Sequence, residues 1–220
     1  MKDRMPPMSA VLRRRSRSSV ALALLGAALL AAALLAPTAR AAAPVRVSAN
    51  PADRLVDQPL DAERYDRSRH CTSHPRAGTL ALQAWLERNA RGVSWGIMRC
   101  EKLGPANFSL HADGRALDWH LDVKDAADRR EAQRLIALML APDRLGQPHA
   151  LARRMGLQEI IWDCKSWWAG TEGMRAYSVC LNGNGDLRRH VDPTLAHRNH
   201  IHFGLSRAGA MRRTSYWQHA

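Results

Sequence analysis

The chain has 220 residues with 33 Lys and Arg against 20 Asp and Glu, a formal net charge of +13. Much of that excess sits at one end: residues 1–41 hold seven of the basic and one of the acidic side chains, leaving 26 against 19, or +7, for the rest. About 180 residues suffice for one domain with a real core and not for two. The moderately basic remainder lacks any basic run interleaved with aromatics, which argues against nucleic acid and suits another anionic partner, in an exported protein wall polymer or a membrane surface.

In chain order, Arg13, Arg14, Arg15 and Arg17 form a positive leader, Val20 to Ala36 is an Ala/Leu run, and Ala39-Arg40-Ala41 offers small residues for cleavage. Residues 1–41 are therefore expected to be a secretory signal peptide, with a retained anchor and a twin-arginine signal as competing readings. Cleavage leaves no stable membrane insertion and a periplasmic or secreted protein. Residues 42–70, with Pro44, Pro51 and Pro59 and no apolar periodicity, read as a linker or N-terminal arm, and order is expected to begin near Cys71. The domain then spans 71–220.

A helix is predicted over 78–90, with Leu80, Leu82, Trp85 and Leu86 in a helical window, and a strand over 93–100. A second strand is predicted over 115–123, with Ala116, Asp118, His120 and Asp122 on one face and Leu117, Trp119, Leu121 and Val123 on the other. Residues 126–141 carry the clearest helical stripe, ending before Pro142, and 148–155 a shorter helix closed by Gly156. Residues 159–163 and 200–205 read as further strands. This irregular succession implies an α+β fold, a small and mainly antiparallel sheet with flanking helices. Nothing signals a dimer, and a monomer is expected.

The cysteines, Cys71, Cys100, Cys164 and Cys180, are even in number and follow an export signal, the pattern of two disulfides. Three connectivities are open; Cys71 with Cys100 and Cys164 with Cys180 is the favoured one, since each closes a local loop.

The chemistry concentrates in two blocks, Ser109-Leu110-His111-Ala112-Asp113-Gly114-Arg115-Ala116-Leu117-Asp118 and His197-Arg198-Asn199-His200-Ile201-His202. A catalytic zinc needs three nitrogen or oxygen ligands and one position left for water. His111, Asp118 and His202 supply that count if His111 lies in the turn before the strand of Asp118, with Gly114 allowing a sharp bend. Alternation puts His200 and His202 on one strand face. His200 and His197 are the candidates for proton transfer or for a hydrogen bond to the oxyanion. Arg99 is a candidate for holding a substrate carboxylate or carbonyl. Trp167, with Trp168, is a candidate groove wall, one of the two being expected inside. Ser109 is grouped with the substrate candidates, although its first role is to fix the turn, since no G-x-S-x-G elbow surrounds it.

These blocks resemble the zinc peptidases that group D-alanyl-D-alanine metallopeptidases, penicillin-insensitive murein endopeptidases, lysostaphin-type enzymes and the hedgehog signalling domain. The stretch from Arg99-Cys100 through Ser109-x-His111-x-x-Gly114-x-Ala116-x-Asp118 looks most like bacterial extensin-like C-terminal domains, and His197-x-x-His200-x-His202 is similar to the ending of the murein endopeptidases. The resemblance covers roughly Cys71 to Leu205. It implies an α+β core with Zn2+ held in a cleft by His111, Asp118 and His202. Where the carboxypeptidase branch has a Glu three residues before its last ligand, Asn199 stands here, which favours the branch in which histidine moves the proton. Two functions are consistent with this: a zinc peptidase of endopeptidase type acting on peptidoglycan, or a zinc-containing wall-binding module without turnover.

Overall fold

The computed structural model describes residues 50–105 and 107–219; the expected signal peptide lies outside the described residues. In chain order the elements are a 3-10 turn Pro51–Leu55, helix α1 (Ala77–Asn89), strands β1 (Val93–Gly96), β2 (Lys102–Gly104), β3 (Asn107–Phe108) and β4 (Ala116–His120), and helices α2 (Ala126–Leu140) and α3 (Ala150–Met155). Strands β5 (Leu157–Trp162), β6 (Lys165–Trp168) and β7 (Arg175–Ala176), a 3-10 turn Ser178–Cys180, strand β8 (His200–Leu205) and the short helices α4 (Arg207–Ala210) and α5 (Ser215–His219) follow. Six strands make one antiparallel sheet in the order β1-β4-β8-β5-β6-β7, and β2 pairs with β3 in a separate hairpin. The fold is α+β, as the irregular succession of elements implied.

Local chemistry explains where the helices start and stop. The Asp125 side chain accepts from the amides of Ala127 and Asp128 and caps α2, which buries Ala132, Leu135 and Met139 along one stripe. Pro142 forces Ala141 into an extended conformation and ends it. In α1, Leu82, Trp85 and Leu86 recur at helical spacing and are buried. These stripes, with Leu151 and Met155 of α3, pack on one face of the sheet.

Alternation makes the two faces of the sheet different. Leu117 and Trp119 of β4, Ile201, Phe203 and Leu205 of β8, Ile160 of β5 and Trp167 of β6 are all buried in the helix-covered core. In register, Asp118 is opposite His202 and His120 opposite His200. Glu159 is opposite both Gly204 and Trp168, and Ile161 is opposite His202 and Ser166. The face away from the helices is thus the polar one.

This register corrects the assignment of Trp167 to a substrate groove. Trp167 pairs with Ile160 and shares its core face, is fully buried, and donates its indole N–H to the Thr171 carbonyl at 3.1 Å. Its neighbour Trp168 has the opposite face and meets Tyr65 edge-on.

The expected strand over 93–100 is shorter. Trp95 and Gly96 together oppose the position of Asp118, a bulge with Gly96 at φ +122°, and pairing stops there. Order begins before Cys71: Ala52 is buried in the core, Asp61 accepts the amide and hydroxyl of Ser215, and Asp66 accepts the amide of Arg207. Irregular chain held by isolated anchors of this kind leaves no period in the sequence.

Disulfides link Cys71 to Cys100 and Cys164 to Cys180, with Cα atoms 5.6 Å apart in each, the local pairing favoured above. Both cysteine pairs being oxidised points to an extracellular or periplasmic location. Among the described residues no helix is long and apolar enough to cross a membrane.

The burial of Trp167 predicts that Trp167→Ala destabilises the fold by about 3–5 kcal/mol, the usual cost of truncating a core tryptophan. Urea denaturation followed by circular dichroism measures it; a loss under 1 kcal/mol would contradict the core placement.

Candidate metal centre

His111 sits in the turn between β3 and β4. Gly114, at φ +74°, closes that turn so tightly that a Cβ would stand 2.7 Å from the His74 carbonyl oxygen. The Gly114 carbonyl accepts from the Thr79 hydroxyl at 2.8 Å, and the Ser109 hydroxyl accepts the amide of His111 at 3.3 Å. Ser109 therefore holds the turn that presents His111. Below it, the buried Arg115 pairs with Asp113 at 2.9 Å and donates to the carbonyls of Leu205 and Asp66 at 2.8 Å each. That one guanidinium ties the turn to the end of β8 and to the arm.

The turn and the β4–β8 register bring three groups together. His111 Nε2, Asp118 Oδ1 and His202 Nδ1 are each 3.1 Å from the other two, and all three residues are buried. Ligand atoms about 2.05 Å from the centre of a tetrahedron stand about 3.3 Å apart, close to this triangle. The donors are also prepared for an ion. His111 Nδ1 donates to the Ile97 carbonyl at 2.8 Å, leaving the Nε2 lone pair for the centre. His202 Nε2 lies 3.6 Å from Glu159 Oε1, leaving Nδ1. Asp118 Oδ2 accepts from Arg99 at 3.1 Å, leaving Oδ1. His111 and Asp118 thus each have a hydrogen-bonded outer partner that fixes their orientation, the arrangement usual around bound metals. The buried His-Asp-His group can hold a metal ion.

The electrostatics of the metal-free group divide: burial would lower the His202 imidazole, but the Asp118 hydrogen bond and the Glu159 charge raise it. Burial would likewise raise the Asp118 carboxyl, but hydrogen bonds donated by the His111 and His202 rings outweigh it and hold it ionised, well below the usual carboxylate range; a metal ion would take the place of those ring protons. Burial pushes the His111 imidazole down, toward the neutral form that a ligand needs.

Both other predicted histidines are at the site. His200 Nε2 lies 3.5 Å from Asp118 Oδ1, and its Nδ1 bonds to the Asn199 side-chain oxygen at 2.8 Å, while the Asn199 amide donates to the Thr194 hydroxyl at 3.0 Å. His197 has its ring 4.7 Å from that of His200 and bonds its Nδ1 to the Leu195 carbonyl at 3.2 Å. Burial is the main cause that pushes His200 down to about 4 and His197 to about 3, so both rings are neutral at pH 7. Arg99, half exposed, bridges Asp118 and Glu101.

Three contributors had not been picked out as site residues. Trp95, half exposed, stacks on His120 with ring centroids 4.2 Å apart and stands 5.9 Å from His200. The bulge in β1, invisible in a plain alternation, fixes its place. Asn199 stood out in sequence only as a departure, and Glu159 only as part of a strand. Two broad cavities, of about 510 and 450 Å³, are lined by residues of the arm and of the segment after β8, including Arg64, Asp66 and Arg207, and not by the triad.

Fold and site together define a disulfide-bonded α+β domain with a buried His-Asp-His group able to hold a metal ion. The family model of the VldE C-terminal domain matches residues 71–190, more than half of the chain, and the protein belongs to that family. Comparison with curated proteins and with solved structures returned no significant match. The matched stretch includes His111 and Asp118 and stops short of β8, which carries His202.

Purified protein should bind one divalent transition-metal ion per chain, and Asp118→Ala should lose most of that binding, because two imidazoles alone make a weak site. Metal analysis after gel filtration reads both. Wild-type protein that stays metal-free after exposure to zinc at neutral pH would remove the site.

Proposed function

We propose that this protein is an exported zinc-dependent peptidase that hydrolyses peptide bonds of peptidoglycan, of endopeptidase type. The observation that carries this reading is the convergence of His111 Nε2, Asp118 Oδ1 and His202 Nδ1 beside two further neutral imidazoles on one polar sheet face. Two nitrogens and one carboxylate oxygen suit zinc and leave a coordination position for a reactant. The likeness of His197-x-x-His200-x-His202 to the ending of murein endopeptidases supplies the substrate class; the family match names none.

When bound, zinc supplies Lewis acidity that polarises a carbonyl and acidifies a water near neutral pH. The remaining work falls to side chains. Asn199 accepts the Nδ1 proton of His200, which leaves a lone pair on Nε2 facing the triad. That nitrogen takes the proton of the attacking water and returns it to the departing amine. Asn199 thus serves to orient a histidine base where the carboxypeptidase branch has its own carboxylate. His197, whose Nδ1 proton is committed to Leu195, presents Nε2 as an acceptor. This suits receiving a substrate N–H or relaying a proton from His200 better than donating to an oxyanion. Arg99 keeps part of its guanidinium exposed beside Asp118 and can hold a carbonyl or carboxylate of the wall peptide. Trp95 and His120 form an aromatic wall on the β1 side.

Purified, zinc-loaded protein should release muropeptides from sacculi. His200→Ala should keep its zinc and lose roughly two to four orders of magnitude in rate, whereas His202→Ala should lose zinc and activity together. Chromatography of the digest alongside metal analysis separates these; equal zinc loss in both variants would reassign the ligand. Sacculus binding without release would make the protein a wall-binding module.

Asn199→Ala should leave zinc content unchanged and slow release by roughly 10- to 100-fold, as expected for the outer partner of a working imidazole. An unaltered rate would show that the tautomer of His200 is set by something else.

A further inference from the structure

Strand β5 is buried from end to end, yet its third residue is a carboxylate that neither the triad nor the proton-transfer histidines use. Glu159 is 6% exposed. An ionised group there is tolerated only with donors and positive charge around it. The structure supplies both. Tyr65 of the N-terminal arm donates its hydroxyl to Oε2 at 3.4 Å, and Oε1 lies 3.6 Å from His202 Nε2. The Arg115 guanidinium adds positive charge nearby.

The path of the side chain is built in. Glu159 is opposite Gly204 in the β5–β8 register, and a Cβ on Gly204 would come within 3.1 Å of the Glu159 Cβ. The missing side chain opens the lane along which Glu159 reaches the ring two residues back on β8. His202 has its Nδ1 turned to Asp118 and His111, so its ring proton belongs on Nε2, the atom facing Glu159.

We propose that Glu159 is a positioning residue of the metal centre, accepting the Nε2 proton of His202 so that Nδ1 is the ligand atom, and that Tyr65 anchors Glu159 in turn. The inference rests on reading His111, Asp118 and His202 as a metal site. It assigns the arm a function, because a residue well before the first disulfide completes the outer shell of a centre formed by β4 and β8. A carboxylate beside the outer nitrogen strengthens the ring as a donor through Nδ1.

The test is zinc affinity, measured by competition with a chromogenic chelator on the disulfide-bonded protein, together with thermal melting of the metal-free form and the visible spectrum of the cobalt-substituted form. Glu159→Gln and Glu159→Ala should bind zinc about 10- to 100-fold more weakly than wild type. Tyr65→Phe should weaken it several-fold, and metal-free Glu159→Gln should melt about where wild type does, since the amide keeps the volume and an acceptor oxygen for Tyr65. The cobalt spectrum should shift in both Glu159 variants.

Unchanged zinc affinity in folded Glu159→Gln and Tyr65→Phe would overturn the proposal while leaving the triad standing. A lowered metal-free melting temperature with unchanged affinity would make Glu159 a packing residue only, also against it. Absence of zinc binding by wild type would defeat the metal reading itself, a result distinct from the other two.

Discussion

The in-register pairing of β4 with β8 is the constraint on which the site and the core both depend. It sets Asp118 against His202 and His120 against His200, residues eighty or more positions apart in the chain, and in doing so places Leu117 against Phe203 and Trp119 against Ile201 on the opposite face. A slip of one residue would send the imidazoles into the core and the aromatic core side chains toward the polar face. The apolar face therefore specifies the geometry of the polar one. A site that needs three ligand atoms within a few tenths of an ångström draws its precision from hydrophobic packing on the other side of the sheet.

A second device holds the turn that delivers His111. The Asp113–Arg115 pair is buried, and Arg115 reaches both the end of β8 and the arm. Such pairs add little over a well-packed apolar substitute, but removing one partner leaves an uncompensated charge at a cost of about 3–5 kcal/mol. Their value here is geometric. The guanidinium accommodates two carbonyls and a carboxylate in fixed directions, so the turn, the strand and the arm cannot move independently beneath His111.

What was legible in the sequence followed from regular period. Residues 115–123 and 200–205 alternate, 126–141 repeat at helical spacing, and the structure puts strands and a helix there. The three ligand candidates were legible because their side-chain chemistry is unusual and their spacing fits a turn followed by a strand. Departures from period hid the rest. The bulge at Trp95–Gly96 shortened β1 and placed Trp95 beside His120. In Trp167-Trp168 the order of inside and outside depended on the register with β5, which composition does not encode. Glu159 was read as one residue of a buried strand, since only the neighbouring Gly204 and the arm reveal what it reaches. The arm is aperiodic, and its contacts run from side chains to distant backbone, a kind of order that leaves no trace in hydropathy.

The position of β8 in the sheet also governs the order in which the molecule can assemble. It is the last strand in the chain and lies between β4 and β5, so each of those strands lacks one of its two partners until everything before His200 has been made. The helices and the local disulfide loops can form from nearby residues, while the sheet waits for a long-range closure of the kind that slows folding. Until that closure, His111 and Asp118 have no third companion. A chain cut short of β8 would lose its central strand and not a peripheral tail. The His-Asp-His group comes into being only with the finished fold, so a chain that has not reached β8 has two of its three ligand atoms at most.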